Sequence, residues 1–372
     1  MAKMHLFSLE ATRGIAMLGV VGIHTGAFSL SYAQPDIHLF ALLEIASRFS
    51  VPIFFFISAF GLFLNDDLEQ PFQYGRFLIR RLRTVLVPYL TWSLLYMTHY
   101  TYTSGDEHIW DDPFLQSYFL FGLGSYQLYF LVILLWFYLF MPLWRPLVRQ
   151  LSGKRIWLLP CLFFLQMAFN YWSYALFRPH EEDYWLNLLL QYRLSYWPWH
   201  YVFLFLLGGV CAVRVSQFRK LLQRYFSSLS FAALASLGLL LGYYYILVLQ
   251  LSYSLEDAVN AAQQLSPPGM LYTLGATFWL FALFDRPLPG SLSWLLSLLG
   301  RHSYFVYLVH PFFMYYAMEW LTDASLELTP ERIPLFFLWA AGGSLCAAMV
   351  FRFLSRFIPG LSWILTGSGS RR

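Results

Sequence analysis

The sequence predicts an all-α integral membrane protein of about ten transmembrane helices, with the N-terminus and the C-terminus both cytoplasmic. Three observations carry this. Of the 372 residues, 59% are hydrophobic and only 12% are charged, about half the charged share of a soluble domain, and the mean hydropathy is +0.54. Such a chain has too little polar surface to cover a soluble exterior. The apolar residues also fall into ten runs, each near the ~20 residues needed to cross a ~30 Å hydrocarbon core. Finally, the gaps between the runs alternate between basic and acidic.

In chain order the runs span roughly 12–32, 38–64, 82–103, 117–143, 156–177, 196–213, 227–250, 269–285, 291–319 and 333–358. The first lacks an A-x-A-like cleavage site and outruns the apolar core of a signal peptide, so it reads as a retained helix. Lys3 and Arg13 sit before or at its start. The second run carries Glu44 and Arg48. Arg76, Arg80, Arg81 and Arg83 introduce the third. Arg145, Arg149, Lys154 and Arg155 separate the fourth from the fifth. Arg214, Arg219, Lys220 and Arg224 follow the sixth, and Arg286 and Arg301 flank the start of the ninth. Arg352, Arg356, Arg371 and Arg372 close the chain. With the N-terminus inside, 20 of the 24 basic residues face the cytoplasm, as the positive-inside rule requires. The opposite gaps are acidic, at Asp106-Glu107, Asp111-Asp112, Glu181-Glu182-Asp183 and Glu256-Asp257. No internal repeat or low-complexity linker divides the chain, so 1–372 reads as a single membrane domain.

Composition also excludes function classes. A net charge of +4 with no basic tract gives no nucleic-acid footprint. Cys161, Cys211 and Cys346 are far apart, and no CxxC or Cys/His cluster offers a zinc site. The 26 Tyr and 14 Trp suit headgroup-level belts and can line polar cavities.

Ionisable groups within membrane helices are expensive and mark functional sites. His24, Arg48 and His310 are three of them. In RGIAMLGVVGIH, Arg13 and His24 are eleven positions apart, about 20° after whole turns and about 16 Å along the axis. They share a helix face, with Arg13 at the cytoplasmic edge and His24 near the midplane. His310 lies nine residues past Arg301, at similar depth, and Pro311 after it frees a backbone carbonyl. Arg48 follows Glu44 by four residues, so a self-contained ion pair and a cation lining a buried site both fit. Arg80, Arg81 and Arg83 read as a cytoplasmic flank or, because arginine forks grip phosphate, as a landing site for a phosphate-rich ligand.

Several stretches in order resemble the integral membrane acyltransferase family 3, which moves acyl groups, often acetyl, onto cell-surface glycans. They are RGIAMLGVVGIH, RFSVPIFFFISAFGLF, FLIRRLRTVLVPYL, YQLYFLVILLWFYLFMPLW, HYVFLFLLGG and SYFVYLVHP. The likeness is nearest to members linked to extracellular polysaccharide and intercellular adhesion polymers. Departures occur at Ser58-Ala59-Phe60, where the family commonly has Ser-Gly-Phe, and at Gln127, often a histidine. The family's basic pair before the third helix matches Arg80 and Arg83 by spacing, but Arg81 and Thr84 when counted back from Pro88. No SGNH-type extracytoplasmic domain is expected.

The resemblance implies an acyl-CoA donor, in the first instance acetyl-CoA, with no metal. Arg13, Arg80, Arg81 and Arg83 would bind the CoA phosphates. His24 would be the general base, and His310 and Arg48 the groups that orient the acceptor or stabilise the oxyanion. The implied partners are acyl-CoA, a glycan acceptor and the lipid bilayer of a bacterial plasma membrane. Direct transfer and a ping-pong route both remain open. A polysaccharide or lipid-linked sugar transporter is the alternative, although it predicts paired repeats, which the sequence lacks.

Overall fold

The computed structural model describes residues 6–358 and 360–368. Lys3, Arg371 and Arg372, counted above among the cytoplasmic charges, lie outside them. Every regular element among the described residues is helical, consistent with an integral membrane helical protein. Three helices are long and apolar enough to cross a bilayer, namely Ile37–Phe63, Phe226–Gln250 and Ile333–Leu354. Two bent pairs raise that number to five: Tyr129–Leu139 with Met141–Leu151 at 73°, and Pro198–Val213 with Val215–Arg224 at 98°. Helices also occupy the other five expected spans. They are shorter or more polar, and two of them carry His24 and His310.

The second bend has a legible cause. The apolar run ends at Val213, and the pattern turns amphipathic. Helix Val215–Arg224 buries Phe218 and Leu222, and its Arg219 pairs with Asp285 at 2.7 Å. An element with one polar face lies along an interface rather than crossing it.

The chain divides into two compact units. The first comprises the chain up to Asp67 with Val148–Leu176 and Tyr201–Leu345. At its centre the His24 helix, Phe7–Ser29, packs along the His310 helix, Gly290–Asp323. Lipid-facing helices gain little from hydrophobic burial, so close van der Waals packing through small residues decides which helices pair. Gly300 is such a contact: a Cβ there would lie 2.2 Å from the carbonyl oxygen of Glu10. The same device joins Ser50–Phe63 to Val202–Val213, where a Cβ on Gly208 would lie 2.3 Å from the carbonyl oxygen of Phe56. Around this contact Phe56, Phe60, Phe218 and Phe281 interlock, with the Phe56 and Phe281 ring centres 5.3 Å apart. Edge-to-face pairs of this kind add about 0.5–1.5 kcal/mol each beyond area burial.

The second unit comprises Leu68–Leu147, Phe177–His200 and the chain from Cys346 onward. Helix Tyr74–Arg81 is amphipathic and buries Phe77. A π-helical turn, Leu82–Leu86, joins it to Val87–Ser104. Pro88 suits that junction, since a proline in the first turn gives up no helical hydrogen bond. The short helix Leu361–Thr366 docks on this region: Trp92 Nε1 donates to the carbonyl of Leu365 at 2.9 Å.

Candidate functional site

The first unit brings His24, His310 and Arg48 together. The imidazole rings of His24 and His310 stack with centres 5.3 Å apart and planes 22° from parallel. His310 is fully buried at 0% exposure, whereas His24 keeps some accessible surface. The close crossing at Gly300 sets the two helices at the separation this stack needs.

Pro311 does more than bend the helix. It has no N–H, so the Tyr307 carbonyl, four residues earlier, loses its helical donor. His310 Nδ1 takes that place, 2.8 Å from the Tyr307 oxygen and 3.2 Å from that of Val306. Carbonyl oxygens only accept, so Nδ1 carries the hydrogen and donates it. In neutral imidazole the lone pair then resides on Nε2. The His-Pro dipeptide thereby fixes which nitrogen of His310 can take up a proton or accept a hydrogen bond.

Arg48 is held by two partners. Nη2 pairs with Glu44, one turn earlier. Nη1 donates to Gln264 Oε1 at 3.0 Å. Both open readings of this arginine contain part of the arrangement: the ion pair exists, and the cation is also near enough for its charge to act on the His24 ring. The Arg48 side chain is only 13% exposed, and its Nε has no hydrogen-bond partner among the described residues, nor has Glu44 Oε2. Buried polar atoms without partners are rare and mark places where a ligand or water completes the network. Glu44 lies in a π-helical turn, Ala41–Ile45, a feature often found at functional sites. Gln264 was not recognised from the sequence, because 216 positions separate it from Arg48 and no local pattern links them.

Arg13 lies on the His24 helix and is partly exposed. Near the same helix end Glu10 accepts from Ser297 Oγ at 3.1 Å and pairs with Arg301 at 3.6 Å.

The second unit holds a basic cavity of about 670 Å³. Arg76, Arg80, Arg83, Thr84, Trp363 and Gly367 line it. Positions 76, 80 and 83 recur on one helical face, as i, i+4 and i+7 residues do. Arg81 is off that face. Its guanidinium lies 5.5 Å from the Phe77 ring centre and 5.6 Å from that of Tyr138, a cation–π arrangement. Burial draws its pKa below the ordinary value, with Tyr138 opposing and Arg80 adding to the drop. Of the three arginines that the resemblance offers for phosphate here, the structure puts Arg80 and Arg83 on the cavity and turns Arg81 away. Trp363 was not singled out by the sequence, since a tryptophan past the last span carries no motif. Among the described residues no group of three His, Cys, Asp or Glu side chains forms a metal site.

Known proteins similar to this chain fix its family. The chain is 26% identical over 346 residues to the Bacillus subtilis (strain 168) protein YfiQ, which is named as a membrane-bound acyltransferase, and the match covers 91% of this chain and 90% of that one. No solved structure matches it. The family model described as an acyltransferase domain matches residues 6–353, a stretch that contains His24, Arg48, Arg80, Arg83 and His310, and the chain therefore belongs to the membrane acyltransferase family 3.

Proposed function

We propose that this membrane acyltransferase moves an acyl group, acetyl in the first instance, from cytoplasmic acyl-CoA to a hydroxyl of an extracytoplasmic or lipid-linked glycan. The observation that carries the chemistry is the stacked pair of His24 and His310 beside a buried arginine. His24 is the base, because the residue is less enclosed than His310, whose ring is tied to its own backbone. An imidazole suits this role near neutral pH. His24 takes the proton of the acceptor hydroxyl as the hydroxyl oxygen bonds to the thioester carbonyl carbon. Arg48 stabilises the resulting oxyanion, the role of a preorganised donor in a dry site. The C–S bond then breaks, the ester is complete, and the proton on His24 passes to the departing CoA thiolate. His310 holds the plane of the His24 ring.

Arg80 and Arg83 take the phosphates of the donor, and Arg81 is left to its aromatic neighbours. Ten spans with both ends in the cytoplasm of a bacterial cell deliver CoA to the basic side and the glycan to the other. The family match favours transfer over transport.

The test uses the full chain in lipid nanodiscs, supplied with labelled acetyl-CoA and a panel of surface glycans, with alkali-labile ester as the product. His24→Ala is expected to lower transfer at least a hundredfold, the usual worth of a general base, with CoA affinity unchanged. Full activity in that variant would end the assignment.

A further inference from the structure

The basic cavity has an aromatic wall that the phosphate reading does not use. Trp363 lines it, with 43% of its surface exposed. The helix that carries it, Leu361–Thr366, is fixed at both ends of its last turn. Leu365 accepts the hydrogen bond from Trp92. Gly367 has a φ of +63° and sits so close to Thr84 that a Cβ would lie 2.4 Å from the Thr84 Cα. A residue with a side chain meets both the left-handed backbone and the missing space, so glycine is required. The segment after the last long helix is thus a wall of the cavity.

Three cations on one side-chain face and an accessible indole are complementary to a phosphorylated nucleotide. Guanidinium forks grip phosphate, and an aromatic ring stacks on a base whatever its identity. A cavity of about 670 Å³ lies within the ~300–1,000 Å³ of small-ligand sites. We propose that Trp363 stacks on the adenine ring of the CoA donor, while Arg76 joins Arg80 and Arg83 at its phosphates. This rests on the donor reading given above and adds to it the residue that recognises the base.

The experiment measures binding of CoA, and of a CoA analogue lacking the adenine base, to the full chain in phosphatidylcholine nanodiscs. Unmodified protein, Trp363→Ala, Trp363→Phe and Arg80→Ala are compared, each with a thermal melt to confirm folding. Trp363→Ala is expected to weaken CoA roughly five- to hundredfold, the range of base–aromatic stacking, and to leave the base-free analogue unchanged. Trp363→Phe keeps most of the affinity, and Arg80→Ala weakens both ligands. If Trp363→Ala weakens neither ligand, or both equally, the stacking assignment falls. In that case Trp363 serves as an interface anchor or a structural prop. If CoA binding ignores Arg80→Ala as well, the donor reading itself fails. If the protein binds anionic lipid added to the nanodiscs and shows no binding of CoA, a lipid headgroup is the phosphate and the proposal is overturned.

Discussion

At the scale of single residues, Arg48 poses the question the sequence left open, whether it serves structure or chemistry. The structure makes the two separable. Removing one partner of a buried ion pair leaves the other charge uncompensated, at a cost of about 3–5 kcal/mol. Arg48→Ala is therefore expected to lower the apparent melting temperature, since Glu44 is buried beside it. The double variant Glu44→Gln/Arg48→Met removes both charges and recovers most of that stability. Transfer activity stays low in both variants if Arg48 stabilises the oxyanion. Recovery of activity along with stability would show that the arginine serves only to balance Glu44. A second prediction concerns Pro311. Pro311→Ala returns an N–H to the Tyr307 carbonyl and competes with His310 Nδ1. The helix is expected to be no less stable, while kcat falls about tenfold and CoA affinity holds. Single-turnover assays and melting curves check this, and an unchanged kcat would mean that the His310 tautomer does not matter. That the two histidines share a level was legible in the sequence because helices rise a fixed distance per residue, and their stacked rings agree. Gln264 was not, since tertiary partners leave no local trace.

At the scale of elements, glycine spacing decides which helices meet. Gly300→Ala drives a methyl group toward the Glu10 carbonyl and pushes the two site helices apart. It is expected to lower the melting temperature and kcat together, whereas Gly238→Ala, with open space where its side chain would point, leaves both unchanged. Parallel measurements of thermal stability and acyl transfer on the two variants check this. The existence of the helices was legible from apolar runs. The bends after Leu139 and Val213 were not, because a hydropathy window sees length and not direction. The failing of Arg81 as a cavity residue was latent in the spacing. A step of five residues from Arg76 turns about 140° around the helix, against about 40° for Arg80. The motif match ignored that phase.

At the scale of the molecule, the charge pattern predicts which side of the membrane each gap faces, and this can be tested. A cysteine-free variant with one new cysteine reports the side by labelling with an impermeant maleimide. Glu181→Cys is expected to label in intact cells, and Lys154→Cys only after permeabilisation. The reverse pattern would invert the topology and place the Arg80 cavity away from cytoplasmic CoA. The imidazoles lie in one unit and the basic cavity in the other. That division was only half visible beforehand. The arginines announced themselves by charge, but the wall formed by Leu361–Thr366 arises from a docking contact between Gly367 and Thr84 that no hydrophobic period encodes.

The His310–Pro311 step bears finally on kinetic order. A histidine whose proton is positioned by substrate must wait for that substrate before its partner can use it. Here the acceptor of the Nδ1 proton is a carbonyl three residues earlier in the same chain, present before anything binds. The bare nitrogen is therefore the same one at the start of each turnover, whether the thioester or the hydroxyl arrives first.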